Sequence, residues 1–116
     1  LSRKDFNDIL KCEGVRDLTE DLKELINELV REFKPLKIIL TGSLARGRFV
    51  RGLSDIDILV IVDEVKSKDR FMLKTVKDVD VEITVISKDE FEKAINMGRE
   101  FYIEAIKWGI IVHQQC

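Results

Sequence analysis

The eight residues Asp55-Ile56-Asp57-Ile58-Leu59-Val60-Ile61-Val62 constrain this chain more than any other stretch. Six aliphatic side chains in eight positions, most of them β-branched, suit a strand buried against apolar neighbours. Two carboxylates interrupt that run. Side chains alternate across a strand, so Asp55 and Asp57 project from one face, close enough to share a cation. Without a compensating partner, like charges entering a buried strand raise each other's pKa or destabilise the fold. Hard oxygen ligands of this kind suit magnesium or manganese. The bland alternative puts the pair at the solvated first end of the strand with Asp55 capping a turn, and an isolated Asp-x-Asp does not decide between them.

This pair is not isolated. Upstream, Leu36-Lys37-Ile38-Ile39-Leu40 reads as a short buried strand, and Gly42-Ser43 follows it directly. Glycine there lets the backbone turn tightly and offer N–H groups to a phosphate. A strand, a Gly-Ser turn and a second strand bearing alternating acids would set a triphosphate and its metals side by side. Arg46, Arg48 and Arg51 form a local basic patch, with no acidic residue between Phe33 and Asp55. Of these, Arg48 and Arg51 read equally well as solvated loop charges. The chain as a whole carries 20 basic and 22 acidic residues, a formal charge of −2, so phosphate binding has to be local and nucleic acid is not expected as a general partner.

The rest of the chain supplies a frame for this site. Apolar residues recur at helical spacing over residues 18–33, with Asp17 and Glu20 placed as a capping-box-like start and Pro35 as the stop. Residues 67–75 have helical potential, and residues 79–86 alternate Val79, Val81, Ile83, Val85 with polar positions as a third strand. Ser87 and Glu90 have capping-box spacing for a helix running towards Met97, which Gly98 breaks. A last helix spans residues 99–108, closed by Gly109, and residues 110–113 suit a short edge strand. The expected fold class is α/β (α+β), a small mixed sheet packed against helices. The length of 116 residues fits a single domain over residues 1–116. An N-terminus without an apolar signal core, and no apolar run of membrane-spanning length, lead to the expectation of a cytoplasmic protein without a membrane partner. Cys12 and Cys116 are expected to remain free thiols, and the single histidine, His113, is expected to be structural, which leaves little material for a zinc site or a Ser-His-Asp triad.

A third carboxylate ligand is wanted, and the polar face of the third strand offers Asp80 and Glu82. Glu82 is preferred because it lies deeper in the apolar run, whereas Asp80 is nearer the strand entry and Asp78 is expected to be solvated. Phe101, Tyr102 and Trp108 have the means to stack on a base, but their helical spacing reads as core.

The segment Gly42-Ser43-Leu44-Ala45-Arg46-Gly47, followed after Ser54 by Asp55-Ile56-Asp57, resembles the minimal nucleotidyltransferases (MNT) of the DNA polymerase beta-like nucleotidyltransferase superfamily. That family's signature is Gly-Ser, a spacer and Asp-hydrophobic-Asp, with a further carboxylate on a later strand, and the likeness covers about residues 36–91. The resemblance implies a polymerase-beta-like fold and a two-metal reaction using Mg2+ or Mn2+, in which an acceptor hydroxyl attacks the α-phosphate of a nucleoside triphosphate and pyrophosphate leaves. By that resemblance Asp55 and Asp57 bridge the metals, and Glu82 holds the metal that activates the acceptor. Gly42 and Ser43 hold the β- and γ-phosphates, and Arg46 or Arg48 neutralises the departing pyrophosphate. Many family members have Asp as the later carboxylate, which keeps Asp80 in play.

The first functional expectation is therefore transfer of AMP from ATP. Small stand-alone members are often antitoxin halves of toxin–antitoxin pairs whose partner is a helical HEPN ribonuclease, in some cases the adenylylated acceptor. The alternative is a non-catalytic module of the same fold that binds a partner through its surface, and a polymerase or RNA-tailing role is disfavoured by the acidic balance. A homo-oligomer is compatible with the apolar residues between Ile103 and Val112.

Overall fold

The computed structural model describes residues 5–65 and 70–115. Five strands, β1 (Lys37–Thr41), β2 (Ile56–Val62), β3 (Phe71–Val76), β4 (Val79–Ser87) and β5 (Ile110–Gln114), form one sheet in the order β3-β4-β2-β1-β5. β2 and β4 run parallel, whereas the other neighbours are antiparallel, so the sheet is mixed as expected. β2, the apolar run, takes the middle place, where aliphatic side chains are buried on both of its faces. Asp57 is the one residue of β2 that is only partly buried.

Helices cover the two faces unequally. On one face, α1 (Phe6–Leu10) and α2 (Thr19–Phe33) pack on the inward residues of β1, β2 and β4, with Leu22, Leu25, Ile26 and Leu29 of α2 entering the main core. On the other, α4 (Lys88–Asn96) and α5 (Glu100–Trp108) bring Ala94, Tyr102 and Ala105 onto Ile39, Leu59, Ile61 and Ile86. This second core serves the end of β2 beyond Leu59. The start of β2, with Asp57, remains open on that face.

Several local expectations need correction. Residues 71–75 are not helical: they belong to β3, which pairs antiparallel with β4 through a tight turn at Lys77 and Asp78. Ser67, where the expected helix began, lies outside the described residues, as does Cys116. α2 is entered through a 3₁₀ turn (Arg16–Leu18) with Leu18 at its N-cap position and no side-chain cap, because Asp17 is engaged by Arg51. It ends at Lys34, which adopts a left-handed φ of 47° just before Pro35. The Ser87 cap does form, its Oγ accepting from the Glu90 N–H at 3.2 Å, but Glu90 turns instead to Arg70. Gly109 closes α5 where any Cβ would meet the Ala105 carbonyl and Ile39. β5 then lies along β1 at the sheet edge, carrying His113 partly buried.

Candidate active site

Asp57 enters the sheet between Thr41 of β1 and Glu82 of β4, its register neighbours on either side. Register neighbours on adjacent strands project from the same face. The Asp57 and Glu82 carboxyls accordingly lie side by side, within hydrogen-bonding reach of one another when Asp57 is protonated. Burial first, then the bond to Glu82 and the negative charges of Glu82 and Asp55, push the Asp57 carboxyl up to about 7. Each of these influences raises it, so the protein's own described groups do not offset the charge gathered there.

Asp55 precedes β2 and is exposed, and it acts on Asp57 through its charge. Asp80 is exposed too, one pleat before Glu82, where continuing the β2–β4 register sets it across from Asp55. Among the described residues no three carboxylate, histidine or cysteine side chains already converge as a cation cage. The Asp57–Glu82 pair, with Asp55 beside it, nonetheless fits a divalent cation: its donors are hard oxygens carrying uncompensated charge, and a cation relieves that charge without a proton.

Gly42 lies directly behind this pair. Its φ of 76° is left-handed, and a Cβ built on it would run into Asp57, meeting Oδ2 first and standing 3.0 Å from Cγ. Only glycine lets β1 turn here while the Asp57 carboxyl keeps its place. The turn continues as a single helical turn, α3 (Gly42–Ala45), tied off by N–H donations from Arg46 to the Gly42 carbonyl and from Arg48 to the Ser43 carbonyl. The backbone N–H groups that open such a turn have no partner within it.

A cleft of about 430 Å³ runs from this turn to α5, lined by Gly42, Ser43, Arg46, Arg48 and Asp57 on one side and by Glu100, Phe101 and Glu104 on the other. Arg46 spans it, its Nη1 forming a 3.1 Å ion pair with Glu104 Oε2, while its guanidinium lies 5.2 Å from the centre of the Trp108 ring. Trp108 is 49% exposed and Phe101 38%, so neither is the core residue its spacing suggested, whereas Tyr102 is buried. Sequence reasoning missed Glu100 and Glu104 altogether. The signal was the i, i+4 spacing of Glu100, Glu104 and Trp108, which puts all three on one helix face.

Arg51 does not join the cleft. It donates to Asp17 at 2.8 Å, to Asp78 at 2.6 Å and to the Gly14 carbonyl at 2.7 Å, tying the entrance of α2 to the β3–β4 turn. Asp78 is thus exposed but paired rather than simply solvated.

Among curated proteins, none matches this chain in sequence. The family model described as a nucleotidyltransferase domain matches residues 22–108, from α2 to the end of α5. That span is 87 of the 116 residues and includes Gly42, Ser43, Asp55, Asp57 and Glu82. With the mixed sheet and the Gly42 turn set against Asp57, the chain belongs to the nucleotidyltransferase domain family.

Proposed function

We propose that this protein is a metal-dependent nucleotidyltransferase that moves AMP from ATP onto an acceptor hydroxyl and releases pyrophosphate. The observation that carries the reading is the pairing of Asp57 with Glu82 across β2 and β4, directly against the Gly42 turn. Asp55, Asp57 and Glu82 would hold the divalent cation, which when bound would neutralise charge on the phosphates and lower the pKa of the acceptor hydroxyl. Gly42 and Ser43 receive the β- and γ-phosphates through backbone N–H groups, and Arg46 lies along the same cleft to take up charge on the departing pyrophosphate. Glu82 accepts the acceptor proton as the hydroxyl oxygen bonds to the α-phosphorus and the bond to the bridging oxygen breaks.

Within the family, the Gly-Ser-x-Ala-Arg-Gly form of the turn supports a place among the minimal nucleotidyltransferases, as the antitoxin half of a pair with a helical HEPN-type partner that is itself the acceptor. Transfer is tested with ATP labelled at the α or the γ position, magnesium, and cell extract as the source of acceptor. Label retained on protein from the α position only, lost with Asp57→Asn, is the expected result. Label arriving from the γ position would make the reaction phosphoryl transfer and overturn the reading.

A further inference from the structure

We infer that the acceptor docks on the outer face of β3, beside Glu82, and that it is a polypeptide segment whose hydroxyl residue is flanked by apolar and basic side chains. The inference rests on the nucleotidyl-transfer reading for what that segment receives, but the surface stands on its own observations. Leu73 is the register neighbour of Glu82, and Phe71 that of Thr84, so both share the face on which Asp57 and Glu82 project. Neighbouring side chains on such a face have Cβ atoms about 4.5–5.5 Å apart. Leu73 therefore borders the carboxylate pair on the side away from the Gly42 turn.

Neither side chain serves the core. β3 sends Met72 and Val76 inward, to the face covered by α2, while Phe71 and Leu73 are each 60% exposed. Among the described residues β3 is the terminal strand of the sheet, and an edge strand carrying large exposed apolar side chains is a liability that folds normally avoid unless a partner covers it. An open strand edge also offers backbone hydrogen bonds to a polypeptide, which a small solute cannot use along its length.

Charge identifies the partner further. The cleft on the β1 side carries both signs, Arg46 and Arg48 beside Asp57, Glu100 and Glu104. On the β3 side the neighbouring charges are all acidic, Glu82 and Asp80 as the register neighbours of Leu73 and Thr75, with Asp55 across from Asp80. Arg70, at the start of β3, is paired with Glu90 at 2.9 Å. A polyanion such as RNA would be repelled from this side, and a basic segment with apolar residues for Phe71 and Leu73 would be drawn to it.

The test uses a fluorescent peptide of the pattern Lys-Leu-Tyr-Leu-Lys, the same peptide with glutamates for lysines, and a single-stranded RNA, each titrated by anisotropy. The proteins are the native chain and the double variant Phe71→Ala/Leu73→Ala, whose altered side chains are exposed. We expect the basic peptide to bind the native chain and to bind the double variant about tenfold or more weakly, as loss of apolar contact requires. The acidic peptide and RNA should bind worse than the basic peptide, and magnesium-ATP affinity, measured by calorimetry, should be equal in both proteins. Absent or unchanged peptide binding, or tighter binding of RNA, would overturn the inference. A peptide difference that persists in a protein unable to bind magnesium-ATP would retain the docking surface and reject the nucleotidyl-transfer reading.

Discussion

Gly42 and Asp57 occupy one space between them, and this is the residue pair on which the site depends. Gly42→Ala would force a side chain into a left-handed backbone at a cost of about 1–2 kcal/mol and displace the Asp57 carboxyl as well. For a domain near this size, each kcal/mol lost lowers Tm by about 4–8 °C, so a thermal melt should show the loss and calorimetry should show magnesium-ATP binding lost with it. Asp57 itself links the site to pH. Its carboxyl is raised in the fold from 3.8 to about 7, so the folded state binds that proton more tightly than the unfolded chain. Its contribution to stability is therefore full below about 3.8 and disappears as pH rises to about 7. The metal-free protein should lose stability across that interval through this group, Asp57→Asn should lack that loss, and magnesium at pH 7 should raise the Tm of the native chain alone. At this scale the closeness of the Gly-Ser turn to the Asp-x-Asp strand was legible, because both are local patterns whose backbone and charge demands can be stated without a fold. The pairing of Arg46 with Glu104 and Trp108 was not, since residues 58 and 62 positions apart meet only once α5 has docked.

Among the elements, β3 is where the sequence misled. Met72, Leu73 and Lys74 favour helices, and the exposed Phe71 and Leu73 disrupt the apolar-polar alternation that marks a half-buried strand. Its turn also lacks the Asn-Gly signal, using Lys77 at a φ of 54° instead. β2 and β4 were legible because burial leaves aliphatic and alternating patterns respectively. The entrance to α2 was not, because the side chain suited to cap it, Asp17, is drawn away by Arg51. Arg51 holds the carboxyls of Asp17 and Asp78 below their ordinary value of 3.8, chiefly through hydrogen bonds. Folded-state pKa values depressed in this way contribute stability above that value, and the contribution is lost as pH falls through the folded pKa values. Arg51→Gln should consequently melt at a lower temperature than the native chain at pH 7, with the two converging under acid conditions. A gap that persists unchanged into acid would assign Arg51 a different role.

Across the whole molecule, the two sides of the sheet divide the work. α1 and α2 close one face as core, whereas α4 and α5 close only part of the other and leave Asp57, Glu82 and the cleft at its margin. The mixed α/β architecture was legible from element types and their order, but which strands neighbour which was not. The parallel placement of β2 against β4 is a long-range pairing, and it is what converts Asp57 and Glu82, 25 residues apart in sequence, into one site. Among the described residues no helix is long and apolar enough to cross a membrane. The proposed function requires this pairing and the Gly42 turn to bind a metal-nucleotide complex. Its most direct test is calorimetric titration of ATP, with and without magnesium, into the native chain and into Asp55→Ala/Asp57→Ala. Magnesium-dependent binding by the native chain, weakened about 100-fold or more in the double variant, is the result expected when such charge-stabilising contacts are removed. Magnesium-independent binding, or equal binding by a folded double variant, would contradict the claim.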